Sequence, residues 1–132
     1  MGYRLPLPTS DSVYVVVEHR NHMGVMTPAP VSLTGGVLAH DFRITNSYDG
    51  GNGTGSGQKE ITSSVWAMYA GDADQFDAPS YDIKGNDKAL WALQNGNFSM
   101  YTQTDFNMDG DVNGADKGMW ENNNGTFSAV PR

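Results

Sequence analysis

The chain has 132 residues, no cysteine, 15 acidic against 8 basic side chains and a formal net charge of −7. That length suits one domain, or one domain with a small appendage, and a 38% hydrophobic composition supplies a modest core, which excludes wholesale disorder as well as collagen and coiled coil. A membrane span is excluded too, because the longest apolar run, the six residues Val65 to Ala70, falls far short of the roughly 20 residues a spanning helix needs.

The first residues, Met1-Gly2-Tyr3 followed by Arg4-Leu5-Pro6-Leu7-Pro8, lack the basic and apolar regions of a secretory signal. Two readings follow: an intracellular protein, or a mature piece of a longer exported chain. Beyond this arm the first third reads as β-structure. Val13-Tyr14-Val15-Val16-Val17 is β-branched and aromatic, and apolar on both alternating faces, as a buried central strand would be. Asn21-His22-Met23-Gly24 predicts a turn into a second strand, Val25 to Thr27, making a hairpin. Pro28 and Pro30 interrupt pairing, Val31 to Thr34 alternates, Gly35-Gly36 turns, and Val37 to Phe42 is a further strand candidate.

Asn46 to Gly57 is a glycine-rich loop, expected at the surface and mobile. It is no phosphate cradle, since neither the Lys-Ser/Thr of a P-loop nor GxGxxG between strand and helix occurs. Val65 to Ala70 is the last strand candidate and ends at Gly71. The acidic segment begins at once. Residues 71 to 121 hold ten acids and only Lys84, Lys88 and Lys117, so the whole net charge sits there. Such crowding repels itself unless a cation is bound, which argues for a metal ion and against nucleic acid as a partner.

Two stretches of this tail align. Tyr81 to Trp91 matches Gly110 to Trp120, and Asn95 to Phe98 matches Asn124 to Phe127, at a constant offset of 29 residues. We read a duplicated supersecondary unit, each a loop running into a short helix. Asp87 and Asp116 sit where the helices begin, Gly96 and Gly125 are left-handed terminators, and Trp91 and Trp120 serve as core anchors rather than sugar-stacking surfaces.

The most specific signal is Asp105-Phe106-Asn107-Met108-Asp109-Gly110-Asp111-Val112-Asn113-Gly114-Ala115-Asp116. Side-chain oxygens fall at loop positions 1, 3, 5, 9 and 12, glycine at 6 and an apolar residue at 8, a spacing that wraps backbone around one hard cation. Asp111 offers its carbonyl, Asn113 acts through a water, Asp116 closes the shell, and Val112 ties the loop to the core. In the first copy Asp72 and Asp74 supply positions 1 and 3, Asp77 takes position 5 or that position is lost, Asp82 matches Asp111, and Asp87 closes. Five aspartates in sixteen residues favour a modified calcium site, so two calcium ions are expected.

DxNxDGxVNxxD followed directly by an exit helix resembles the calcium-binding half-hand of dockerin modules, which also carry two copies. The resemblance covers about the last 60 residues and implies Asp105, Asn107, Asp109, Asp111, Asn113 and Asp116 as metal-site residues. Dockerins bind cohesins through residues of the two helices, commonly including a hydroxyl pair just before the closing aspartate. Gly114-Ala115 and Gly85-Asn86 stand in those places here, which supports metal binding better than cohesin binding. Over its whole length, through Asp11 to Met26, Val65 to Asp72 and the two repeats, the chain is similar to the C-terminal portion of long secreted bacterial surface proteins. That similarity implies an extracellular setting and a processed or excised part of an exported chain.

Glu18, His19, His22, His40 and Asp41 are the only other metal-like constellation; the spacing is not HExxH, and polar turn residues are the preferred reading over zinc. GxSxG and thiols are absent, so no catalytic role is assigned. Asn52, Asn97 and Asn124 begin glycan sequons, and glycosylation stays open.

The expectation is an α+β fold: a β-rich, sandwich-like part over 1–70, and two calcium-loop and short-helix units over 71–132 packed on it. The function expected is an extracellular, calcium-stabilised structural protein, either a matrix or filament subunit or the terminal module of an adhesin. Edge strands and the arm Gly2 to Pro8 would mediate self-association or contact with another surface protein. The alternatives are a docking module for a cohesin-type receptor and an accessory carbohydrate-binding module.

Overall fold

The computed structural model describes residues 11–51, 55–75 and 81–131. The arm Gly2 to Pro8, the Asn52 sequon and Asp77 lie outside the described residues. Six short strands precede two helices: β1 Ser12–Val13, β2 Val16–His19, β3 His22–Met26, β4 Val31–Ser32, β5 Lys59–Thr62, β6 Val65–Ala67, α1 Gly85–Gln94 and α2 Gly114–Asn123. The class is α+β, as the sequence predicts.

The strands pair antiparallel in twos, β1 with β4, β2 with β3 and β5 with β6. Two facing sheets of a sandwich are not formed among the described residues. The apolar run 13–17 is divided between two ladders instead of making one central strand, and Val16 is 44% exposed. No layer covers it. The β2–β3 hairpin forms, with its turn at Arg20-Asn21, two residues earlier than predicted. Gly24 is consequently inside β3, where the Tyr81 ring lies against it; a Cβ there would come within 2.7 Å of the ring. Glycine at this position admits an aromatic side chain, not a turn.

Val37 to Phe42 forms no strand. A single bridge joins Thr34 to Val37 around Gly35 and Gly36, both at positive φ, and a bidentate Arg43–Asp41 pair turns the chain beyond it. The glycine-rich stretch is tied in at its ends. Ser47 Oγ donates to Gln58 Oε1 at 2.6 Å, both residues buried, and the Tyr48 amide donates to the Met26 carbonyl.

Both halves of the sequence build the core. Met23 and Met26 from β3 meet Ala70, Ala73, Tyr81, Ile83, Phe106, Trp120 and Val130, with Trp91 and Leu90 packed alongside. The helices meet by exchanged contacts at the 29-residue offset. Trp91 Nε1 donates to the carbonyl of Asn113, the N-cap of α2, at 3.0 Å, and Trp120 Nε1 donates to the carbonyl of Lys84, the N-cap of α1, at 2.8 Å. Gly96 and Val112 exchange strand-like bonds through Val112 O and Asn97 O, as Gly125 and Ile83 do through Ile83 O and Thr126 O. Each unit is thus closed by the other, and each tryptophan packs at the core while donating its indole N–H to the N-cap carbonyl of the other helix. Gly96 and Gly125 take φ of 93° and 91°, as predicted for left-handed terminators.

Candidate metal centre

The acidic loops are organised from their last residues backward. Asp116, fully buried at the third residue of α2, accepts the Phe106 and Asn107 amides on Oδ1 at 2.7 and 3.1 Å and the Asn113 amide on Oδ2 at 2.8 Å. Asp87, buried at the same place in α1, accepts the Ala73 and Asp74 amides on Oδ1 at 2.7 and 2.8 Å and the Lys84 amide on Oδ2 at 2.7 Å. One carboxylate therefore fixes both ends of each loop. The pattern aligns Asp72 with Asp105 and Asp74 with Asn107, and it confines the four extra residues of the first copy to the stretch between Asp74 and Tyr81. Both aspartates were expected at the helix start; each is the third residue of its helix and accepts the N-cap amide, with Asn113 completing a capping box on α2, while Lys84, which has no acceptor, leaves α1 with the Asp87 half alone.

In the second loop Asp105, 1% exposed, accepts the Asp109 and Gly110 amides at 3.1 Å each. Asn107 Oδ1 accepts the Asp109 amide, and Asp109 Oδ1 accepts the Asp111 amide at 2.9 Å. Gly110, at φ 91°, makes the sharp bend. Val112 is fully buried and anchors the loop, as predicted. The Asp111 carboxylate turns away to the Ser99 amide at 3.0 Å, and the Asn113 side chain accepts the Ala115 amide at 2.7 Å. In the first copy the Asp82 carboxylate turns away to Lys84 Nζ at 3.1 Å.

The structure brings Asp105, Asn107, Asp109 and Asp116 into one loop, and Asp72, Asp74 and Asp87 into the other. Among the described residues no three acidic or histidine side chains converge on a common point. In the second loop Asp109 instead faces Asn107, whose amide donates to its Oδ2 at 2.8 Å. The donor chemistry nevertheless fits a hard cation: every side chain offered carries an oxygen ligand, and four of the carboxylates, Asp72, Asp87, Asp105 and Asp116, are withdrawn from water. Burial pushes the Asp87 carboxyl up, against the downward pull of its three backbone donors.

Two residues that the spacing does not single out join this centre. The Asn21 side chain, fully buried, donates to the Asp105 carbonyl at 2.5 Å. Arg20 donates to the Thr102 carbonyl, stacks its guanidinium 3.1 Å from the Tyr101 ring centre and brings Nη2 to 3.8 Å from Asp105 Oδ2. The hairpin turn between β2 and β3 thus braces the loop's first acidic residue, and Arg20 partly answers its charge. No spacing signal marks a partner 84 residues away. The residue pair His40 and Asp41, weighed beside His19 and His22 in the sequence, joins no such cluster among the described residues.

No family model matches the chain, and comparison with curated proteins and with solved structures found no match.

Proposed function

We propose that this is an extracellular structural protein stabilised by two calcium ions, acting as a subunit of a matrix or filament or as the terminal module of a surface adhesin. The observation that carries the calcium reading is the paired arrangement at Asp87 and Asp116. Each is a buried carboxylate gripped by three backbone amides, closing a loop whose other proposed ligands all offer oxygen. Ligands in the second loop are Asp105, Asn107, Asp109, the Asp111 carbonyl and Asp116, with Asn113 acting through a water. In the first, Asp72, Asp74 and Asp87 take part, with Asp77 at position 5 or that position lost, and Asp82 in the place of Asp111.

The metal's role is structural. Bound calcium would relieve the repulsion among these carboxylates and lock both loops onto the helices that complete the core. At a calcium concentration about tenfold above Kd, each site adds about 1.4 kcal/mol to stability by mass action. Removing calcium from both sites therefore lowers Tm by roughly 5–10 °C for a domain of this size. Calorimetry will give two calcium ions per chain, and the Asp105→Ala, Asp116→Ala double variant will lose one of them and part of the Tm difference between calcium and chelator. An unchanged stoichiometry and melting temperature in that variant would sink the calcium reading. The assembly reading is tested by sizing and imaging of the concentrated, calcium-loaded chain; a strict monomer that binds no surface or partner chain rejects it.

A further inference from the structure

A second cluster of ligating side chains stands outside the proposed calcium ligands. His19 ends β2 and His22 begins β3, and their rings meet edge to face across the hairpin turn with centroids 4.6 Å apart. Together with Ala67, Met68 and Met108 they line a cleft of about 240 Å³. Two imidazoles and two thioethers, brought from three separate parts of the chain, share one cavity.

The surroundings prepare at least one imidazole as a ligand. His22 Nδ1 lies 2.7 Å from Asn21 Oδ1, and the Asn21 amide nitrogen is committed to the Asp105 carbonyl. An amide oxygen only accepts, so Nδ1 carries the proton and the lone pair of the neutral ring is left on Nε2. This is the outer hydrogen bond that orients ligand histidines in metal sites. His19 Nδ1 is buried and has no hydrogen-bond partner among the described residues. The Gln75 side chain donates to the carbonyls of both His19 and His22, holding the two histidine backbones together. Burial is the first cause that keeps both rings neutral, lowering His22 to about 4 and His19 below its ordinary value.

The backbone beside Met68 is fixed, and Met108, 56% exposed, lies at the open side of the cleft. A bridge from His22 to Ala70 and the Met23 amide on the Tyr69 carbonyl fix the chain beside Met68. Met108 has φ of 61°, a left-handed conformation costing an ordinary side chain about 1 kcal/mol. A thioether therefore occupies a position where glycine or asparagine would be cheaper. No carboxylate joins the set, since no three acidic or histidine side chains converge among the described residues. Nearby Arg20 reaches Tyr101 and Asp105, and its charge also acts on both histidines, favouring their neutral forms.

We propose that this cleft binds a soft monovalent metal ion, copper(I), through the imidazoles of His19 and His22 and the thioethers of Met68 and Met108. Neutral nitrogen and sulfur donors without an anionic ligand favour a soft ion of low charge over zinc or calcium. The site uses none of the proposed calcium ligands, but Met108 sits between Asn107 and Asp109, so the copper(I) titration is run with calcium present and the two stoichiometries are read separately.

The test is anaerobic titration of the full chain, in buffer with millimolar calcium, with copper(I) in competition with a chromogenic copper(I) chelator. One equivalent is expected, with both nitrogen and sulfur scatterers in the X-ray absorption spectrum. Affinity should fall at least tenfold in Met68→Leu and in Met108→Leu, at least a hundredfold in His22→Gln, and be weaker for zinc than for copper(I). Loss of all copper to the chelator, absence of sulfur from the spectrum, or unchanged affinity in the Met68→Leu, Met108→Leu double variant each overturns the proposal. Leucine conserves the volume of methionine, so that double variant carries the test even if His22→Gln does not fold.

Discussion

His22 concentrates several demands in one side chain: it begins a strand, lines a cleft, and sits beside His19 and Arg20 with its ring mostly withdrawn from water. Burial first, then the charges of His19 and Arg20, depress it to about 4. A folded-state value below the unfolded one means that the unfolded chain binds the extra proton more readily. The associated stability is present above pH 6.5 and is lost as pH falls toward 4, up to about 3 kcal/mol from a shift of this size. In metal-free protein held in chelator, Tm should fall over that interval, and His22→Gln should flatten the fall. Equal pH slopes in the two proteins would refute this. The sequence marked His22 only as a polar turn residue. Its setting depends on Asn21 reaching Asp105 and on Met68 and Met108 arriving from elsewhere, and no local pattern encodes such meetings. The acidic residues were legible for the opposite reason: Asp105 to Asp116 lie within one short loop, where spacing is geometry.

Among the elements, the two helices are the most alike and differ most usefully at Gly118, the counterpart of Ala89. Gly118 lies inside α2, has no positive φ, and a Cβ there would meet nothing within 4 Å. Gly118→Ala should therefore stabilise the protein by about 1 kcal/mol through backbone entropy, read as a rise in Tm with calcium stoichiometry unchanged. A fall in Tm would show that α2 packs more closely at this point than described. Helix positions and terminators were readable because Asp87, Asp116, Gly96 and Gly125 act on their own backbone neighbours. The strands were less so. Val13 to Val17 satisfies the pattern of a buried strand, yet pairing with β4 on one side of the run and β3 on the other divides it, and that choice rests on partners distant in sequence.

At the scale of the molecule, charge and apolar surface oppose one another. The two-stranded ladders leave Val16, Ile61 and Val65 exposed, and short edges with apolar side chains invite pairing between copies. A net charge of −7, all of it traceable to residues 71 to 121, keeps copies apart. Two calcium ions would bring the net charge from −7 to −3 and so weaken that repulsion while the exposed strands stay as they are. Assembly should accordingly be promoted by calcium. In chelator, raising NaCl from about 0.01 to 0.5 M shortens the Debye length from roughly 30 Å to under 5 Å and should recover part of the same effect by screening alone. Light scattering of the concentrated chain distinguishes the contributions: calcium should act at millimolar concentration, far below the NaCl needed for comparable scattering. Assembly that responds to NaCl and not to calcium would separate the polymerising surface from the acidic loops, leaving calcium a role in stability alone.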